Sequence, residues 1–184
     1  MSEPAHANET SQVREAHVFD ARALRTYLER KVDGFSGTLT VRQFVGGQSN
    51  PTFLLAAGGR EYVMRKKPPG KLLASAHQVD REYRVISALA ATDVPVARAY
   101  VLCEDDSVIG SAFYVMEYVR GRIFRAPQLP GLPPAERAAI YDDMNDVLAR
   151  LHRVDYRAVG LGDFGKPGNY FERQIGRWTK QYEA

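Results

Sequence analysis

The sequence predicts an α+β fold, with an antiparallel sheet formed first and most helices afterwards. Two observations predict it. Short apolar runs bounded by turn residues fall between residues 39 and 118, and apolar residues recur at helical spacing from about 135 onward. Strands gathered ahead of helices point to an antiparallel sheet with helices segregated beside it. The chain has 184 residues, enough for a real core, and its 45% hydrophobic and 26% charged content is ordinary for a globular protein.

Residues 1–16 are polar and are expected to be a flexible leader. Asp20 can cap a helix starting at Ala21, with Leu24, Tyr27 and Leu28 on one face and Asp33-Gly34 ending it. Strands are expected at about 39–45, 52–57 and 60–66. The turn Gly58-Gly59 joins the last two, and Pro68-Pro69-Gly70 stops the third, since proline cannot donate to a ladder. A helix is expected over Ala76 to Ala90, where Val79, Tyr83, Ile86 and Leu89 form one stripe. Two more strands, at 99–103 and 112–118, flank the acidic turn Glu104 to Ser107.

Gly121 and the segment Pro127 to Pro134 mark a linker. A helix over about Ala135 to His152 should turn Ile140, Met144, Val147, Leu148 and Leu151 inward. A last helix beginning near Asn169 carries Phe171, Ile175, Trp178 and Tyr182 on one stripe. A stripe that apolar needs a surface to pack on. It is therefore expected to be exposed, and the chain is expected to be the N-terminal part of a longer protein. The division expected is a leader at 1–16, a first lobe at 17–119, and a linker with the first helices of a second lobe at 120–184.

The net charge of +3 suits an anionic ligand, but acids interleave with the basic residues, which argues against nucleic acid. The single cysteine, Cys103, excludes an internal disulfide and reads as an apolar filler in a strand. His6, His17, His77 and His152 lack metal-ligand spacing, and no apolar run approaches the roughly 18 residues of a membrane span. These features point to a cytoplasmic, soluble protein without a membrane partner, and they leave its oligomeric state open.

Four features fall in one order. The turn Gly46-Gly47-Gln48-Ser49-Asn50 can bring backbone N–H groups and short polar donors to an anion; on its own it also reads as a plain hairpin turn. The basic strand end Arg65-Lys66-Lys67 can place a cation beneath that turn. Glu82 lies on or beside the apolar stripe of its helix, where a carboxylate is costly without a cation, and Arg65 or Lys66 is the natural partner. The strand Phe113 to Val119 opens into a linker, so its backbone could hydrogen-bond the edge of an adenine.

In this order the motifs resemble the aminoglycoside phosphotransferase-like family, which shares the protein-kinase fold. They are Gly46 to Asn50, Tyr62-Val63-Met64-Arg65, Arg81-Glu82-Tyr83 and Tyr114 to Gly121. The stretches Arg65 to Leu73, His77 to Glu82, Leu151-His152 and Gly168 to Gln174 are similar to a subgroup that includes kinase-like regions fused to some acyl-CoA dehydrogenases. The resemblance covers about residues 20–184.

It implies an ATP-dependent phosphotransferase using ATP and Mg²⁺, with a small-molecule hydroxyl, such as that of a hydroxyacyl-CoA, as acceptor. Gly46, Gly47, Gln48, Ser49 and Asn50 would cover the phosphates. Arg65 stands where the family's strand-three cation sits; Lys66, one residue over and on the other face, competes with it. Glu82 would anchor that cation. Glu117 and Val119 would supply the adenine-binding backbone, bordered by Met116. Tyr170, Arg173 and Trp178 would lie on the helix leading to the substrate side.

The family's catalytic loop, HGD-x4-N, and its later acidic metal ligand do not occur in the 184 residues, so the chain alone is expected to be inactive, with magnesium ligands elsewhere. Asp163-Phe164-Gly165 spells a kinase metal motif but precedes any catalytic loop and reads as an inter-helix turn. Gly70-Lys71 is not a P-loop, because Arg65 and Leu72 stand where Gly and Ser or Thr are required. The alternative is a non-catalytic kinase-like module that binds a nucleotide or a partner protein.

Overall fold

A computed structural model of the chain describes residues 9–45, 50–68, 77–124, 126–166 and 168–183. These belong to two units, Met1–Arg153 and Val154–Ala184. The first holds a six-stranded antiparallel sheet in the order β1-β2-β3-β4-β6-β5. Its strands are β1 (Thr10–Ser11), β2 (Thr40–Phe44), β3 (Thr52–Ala57), β4 (Arg60–Lys66), β5 (Ala99–Cys103) and β6 (Phe113–Glu117). Its helices are α1 (Ala21–Lys31), α2 (Val79–Leu89), the single turn α3 (Asp106–Ile109) and α4 (Pro134–Arg153). The second unit holds α5 (Tyr170–Tyr182).

The five expected strands are present within a residue or two of their limits. The sixth, β1, corrects the expected leader, since residues 10–11 pair with β2 at Thr10↔Phe44 and Ser11↔Gln43. Without it β2 would present an unpaired row of backbone groups, and an open sheet edge readily takes a partner strand. Side chains reinforce the pairing. Arg42 donates to the Thr10 hydroxyl and carbonyl, both at 2.7 Å. Buried Gln43 accepts from the Arg14 N–H at 3.1 Å, and its amide nitrogen lies 2.8 Å from His17 Nδ1. Polar composition marks residues 1–16 as unable to form a core, but backbone pairing needs no apolar side chains.

The Asp20 carboxylate accepts from the N–H groups of Arg22 and Ala23, capping α1 as expected. Alternation along each strand sorts the side chains into two faces. One face carries Phe53, Leu55, Tyr62, Met64, Phe113 and Val115, which form the core with Leu24 and Leu28 of α1. The other carries Thr52, Leu54, Val63, Arg65, Tyr114 and Met116, and α2 packs on its β5–β6 part. Gly58 and Gly59 both have positive φ (57° and 76°) in the β3–β4 hairpin, and a Cβ on Gly58 would meet the Ser36 carbonyl at 2.7 Å. Cys103 is buried in the core cluster.

Two expectations about helices change. Helix α2 starts at Val79, with Ala76 outside the described residues. The inward stripe assigned to α4 is not buried. Met144, Leu148 and Leu151 are exposed, Ile140 and Val147 are half-buried, and no residue of the helix is buried. Apolar spacing gives α4 its face, but among the described residues nothing covers it. In α5 the expected exposure is present, from 64% at Trp178 to 93% at Tyr182. The Glu104 to Ser107 segment, expected as a turn, includes the start of the one-turn helix α3, capped by Asp105 accepting from Ser107 N–H at 2.9 Å.

Candidate functional site

The site is built around one carboxylate. Glu82 sits in the first turn of α2, whose buried residues Val79 and Leu89 hold the helix against the sheet. Tyr83 of α2 meets Tyr114 of β6 edge to face at 6.1 Å. That packing brings Glu82 over the end of β4. Arg65 projects from the same face. Its Nη2 donates to Glu82 Oε1 at 3.3 Å, and its Nε lies 3.0 Å from Oε2, near enough for charge attraction but not aligned as a hydrogen bond. Each side chain is about a third exposed, so the ion pair by itself contributes about 1 kcal/mol or less. Its value is in orienting Arg65.

Two further donors complete the carboxylate. Tyr114 O–H donates to Oε2 at 3.0 Å, and Asn50 Nδ2 donates to Oε1 at 2.9 Å. Burial, and next the negative charge of Glu82, push the Tyr114 phenol above its ordinary range. It therefore stays a donor across all physiological pH. Asn50 Oδ1 in turn meets His77 Nδ1 at 2.9 Å. Since Nδ2 of Asn50 is committed to a carboxylate, its Oδ1 must accept, and His77 Nδ1 carries the proton. Neither Tyr114 as a donor to Glu82 nor His77 as the partner of Asn50 was legible in the sequence. Tyr114 is the cross-strand partner of Arg65, a relation that only the register reveals.

Lys66 points the other way. It is buried on the core side of the sheet, where burial lowers its pKa and the nearby Asp106 only partly counters this. Of the two candidate cations, Arg65 is the one that meets Glu82. Met116 is half-buried on the face of Arg65, opposite Val63. Val63, two residues before Arg65, and Leu54 opposite it lie on that same face, Val63 buried and Leu54 half-buried. Alternation about Arg65 was the signal that could have found them.

Glu117 ends β6 and is exposed; its N–H donates to the Arg98 carbonyl at 2.8 Å, and its carboxylate accepts from Arg98 N–H at 3.2 Å. Val119 follows, 62% exposed. Next to it Tyr118 stacks on Phe44 at 6.3 Å, and Arg120 pairs with Glu61. Gly46, Gly47, Gln48 and Ser49 lie outside the described residues, as do Pro69 to Ala76, including Lys71. Asp163 to Gly165 lie in the turn segment between α4 and α5, as expected. In α5, Tyr170 and Trp178 are exposed, and the Arg173 guanidinium is bonded to the carbonyls of Lys166 and Gly168.

An open depression of about 720 Å³ occupies the hairpin end of the sheet, lined by Thr40, Gly58, Arg60, Glu61, Glu117 and Arg120 among others. It includes none of Arg65, Glu82 or Asn50. Arg60 and Arg65 are five residues apart on β4, about 17 Å along the strand. The depression and the Glu82 network are thus different places. The network is the better guide, because its donors converge on one carboxylate, while the charges lining the depression are open to solvent and screened.

A family model, the phosphotransferase enzyme family, matches residues 40–184. Acyl-CoA dehydrogenase family member 11 of Rattus norvegicus is 48% identical over 180 residues, covering 96% of this chain and 23% of the rat protein. The Gallus gallus counterpart is 50% identical over 179 residues, covering 95% and 23%. Family member 10 of Mus musculus is 48% identical over 176 residues, covering 95% and 16%. This chain thus spans less than a quarter of the length of these relatives. A crystal structure from Ralstonia eutropha, assigned as an aminoglycoside phosphotransferase, superposes with a TM-score of 0.78 at 59% identity, covering 90% of this chain and 48% of that one.

Proposed function

The chain belongs to the phosphotransferase enzyme family, and from that premise we propose that it forms the nucleotide-binding part of an ATP-dependent small-molecule kinase. The observation that carries this is the Arg65–Glu82 pair, set beside the apolar face of Leu54, Val63 and Met116. A cation fixed by a helix carboxylate, on the same sheet face as apolar side chains, suits a ligand with an anionic end and an aromatic end. The adenine ring would lie on Val63 and Met116, its edge toward the backbone at Glu117 and Val119. The phosphates would lie toward Arg65, covered by Gly46 to Asn50. Bound ATP supplies the transferable phosphoryl group. This chain's residues hold and orient it.

Among the described residues no group of three His, Cys, Asp or Glu side chains could hold a metal ion. The sequence has no HGD-x4-N loop to position an attacking hydroxyl, which supports binding without turnover by these 184 residues. The acceptor proposed is a hydroxyl-bearing metabolite. The acyl-CoA dehydrogenase names of the relatives favour a hydroxyacyl-CoA.

Titration of the purified chain with ATP by calorimetry tests this. Arg65→Ala should weaken binding by about tenfold, the worth of a hydrogen-bonded charge on phosphate. Lys66→Ala should leave affinity within about twofold. Loss on Lys66→Ala with none on Arg65→Ala would overturn the assignment of the cation, and no ATP binding by the unaltered chain would overturn the nucleotide reading.

A further inference from the structure

We infer that Tyr114 is a positioning residue: by holding one oxygen of Glu82, it keeps the Arg65–Glu82 pair half-made and leaves the guanidinium available to an anionic ligand. The consequence for ATP rests on the nucleotide reading above. The geometry stands without it.

An arginine set side-on to a carboxylate forms a fork, in which Nε and one Nη each donate to a different oxygen. Arg65 and Glu82 are a small rotation of the carboxylate short of that arrangement. Nη2 donates to Oε1 at 3.3 Å, and Nε lies 3.0 Å from Oε2, close enough for the second bond. Yet Nε is buried and makes no hydrogen bond. A buried N–H left unpaired beside a carboxylate oxygen is costly, and a neighbour must be imposing that cost.

That neighbour is Tyr114. Its hydroxyl donates to the same Oε2 at 3.0 Å, and it has no freedom to follow the carboxylate round. Tyr114 is 1% exposed, lies opposite Arg65 on β4 and Leu102 on β5, and meets Tyr83 edge to face. Asn50, also buried, holds Oε1. Both oxygens are therefore fixed by buried donors, and the orientation they set leaves Nε out of line. The Arg65 side chain is nevertheless about a third exposed, which leaves it open to a ligand. A closed fork would satisfy the guanidinium within the protein, and an arriving phosphate would then have to displace two hydrogen bonds to Glu82 instead of one. Tyr114 lets Glu82 fix where Arg65 sits without using up its donors.

The test is Tyr114→Phe, which keeps the ring and removes the donor. If that variant does not fold, 4-fluorophenylalanine at position 114 fills the hydroxyl's space without donating and takes its place. The first arm uses no nucleotide. Rotation of the Arg65 guanidinium about its Nε–Cζ bond is read by nitrogen-15 NMR, as exchange between the two Nη atoms. With Oε2 released the fork closes, and rotation should slow by about fivefold, the effect of one further hydrogen bond. Arg25, paired with Glu29 on α1, is the control and should not change. Loss of a tyrosine that only supports packing would leave rotation unchanged or make it faster, and either result overturns the inference.

The second arm titrates ATP by calorimetry. Tyr114→Phe should lose about fivefold in affinity, because the closed fork withholds Arg65. In an Arg65→Lys background, where a point charge replaces the planar guanidinium, the same substitution should cost less than about twofold. An unchanged affinity in Tyr114→Phe, or a full loss retained in the lysine background, overturns the inference. Absence of ATP binding by the unaltered chain sinks the nucleotide reading, and the rotation arm still decides the role of Tyr114.

Discussion

The sheet and α5 both carry apolar residues at the spacing their secondary structure demands, yet their side chains end in opposite environments. In the sheet, Phe53, Leu55, Met64 and Phe113 are fully buried, and polar Gln43 and Asn50 are buried with bonded partners. In α5, Phe171 is 79% exposed and Tyr182 93%. Helix α4 resembles α5 in this, with Met144 57% exposed. Periodicity says which face of an element is apolar, whereas burial depends on what else is present to cover it.

The strongest way to break this contrast is to remove one aromatic ring from each region. Phe53→Ala should cost about 3–5 kcal/mol in urea unfolding, through lost burial and a cavity. Phe171→Ala should lie within about 0.5 kcal/mol of the unaltered chain. A Phe171→Ala loss approaching that of Phe53→Ala would show that the α5 stripe is covered in solution. Next in size is the polar cluster. Glu82→Ala should cost about 1–3 kcal/mol, because Tyr114, Asn50 and Arg65 each lose an acceptor. Loss below about 0.5 kcal/mol, in the range of a surface substitution, would place this carboxylate with the exposed groups instead.

Asp20→Ala, read by thermal unfolding, sharpens the contrast at a helix that does pack. It should cost about 1 kcal/mol by freeing the N–H groups of Arg22 and Ala23. The last effect, opposite in sign, is expected at Lys66, where substitution should stabilise. Its folded pKa lies below the ordinary 10.5 because burial disfavours the charge. The folded state is therefore at a disadvantage while Lys66 is charged, at neutral pH, and that disadvantage fades as pH rises through the depressed folded value toward 10.5. Tyr114 acts in the opposite sense, its raised pKa removing stability only as pH climbs past the ordinary 10.0. Lys66→Met should raise Tm at pH 7 by a few degrees, and its advantage over the unaltered chain should shrink as pH rises toward 10.5. An advantage independent of pH would assign the effect to packing.

The sequence by itself determined the local elements and the family. Asp20 as a cap, Gly58-Gly59 as a hairpin turn and five strands follow from forces acting within a few residues, and the order of four motifs was specific enough to indicate a phosphotransferase. Glu82 as the partner of a β4 cation was also legible, since a carboxylate on an apolar stripe requires one. Tertiary structure decided the rest. It selected Arg65 over Lys66, because the strand's alternation sends one to α2 and buries the other. It recruited Tyr114 and His77, because bonds between residues 32 and 27 apart in sequence depend on register and helix placement, which no local pattern encodes. It turned polar residues 10–11 into a strand, because the open edge of β2 offers backbone partners to any extended segment that reaches it. It left the α4 and α5 stripes exposed, because an amphipathic pattern specifies an apolar face, and only a packed neighbour removes that face from water.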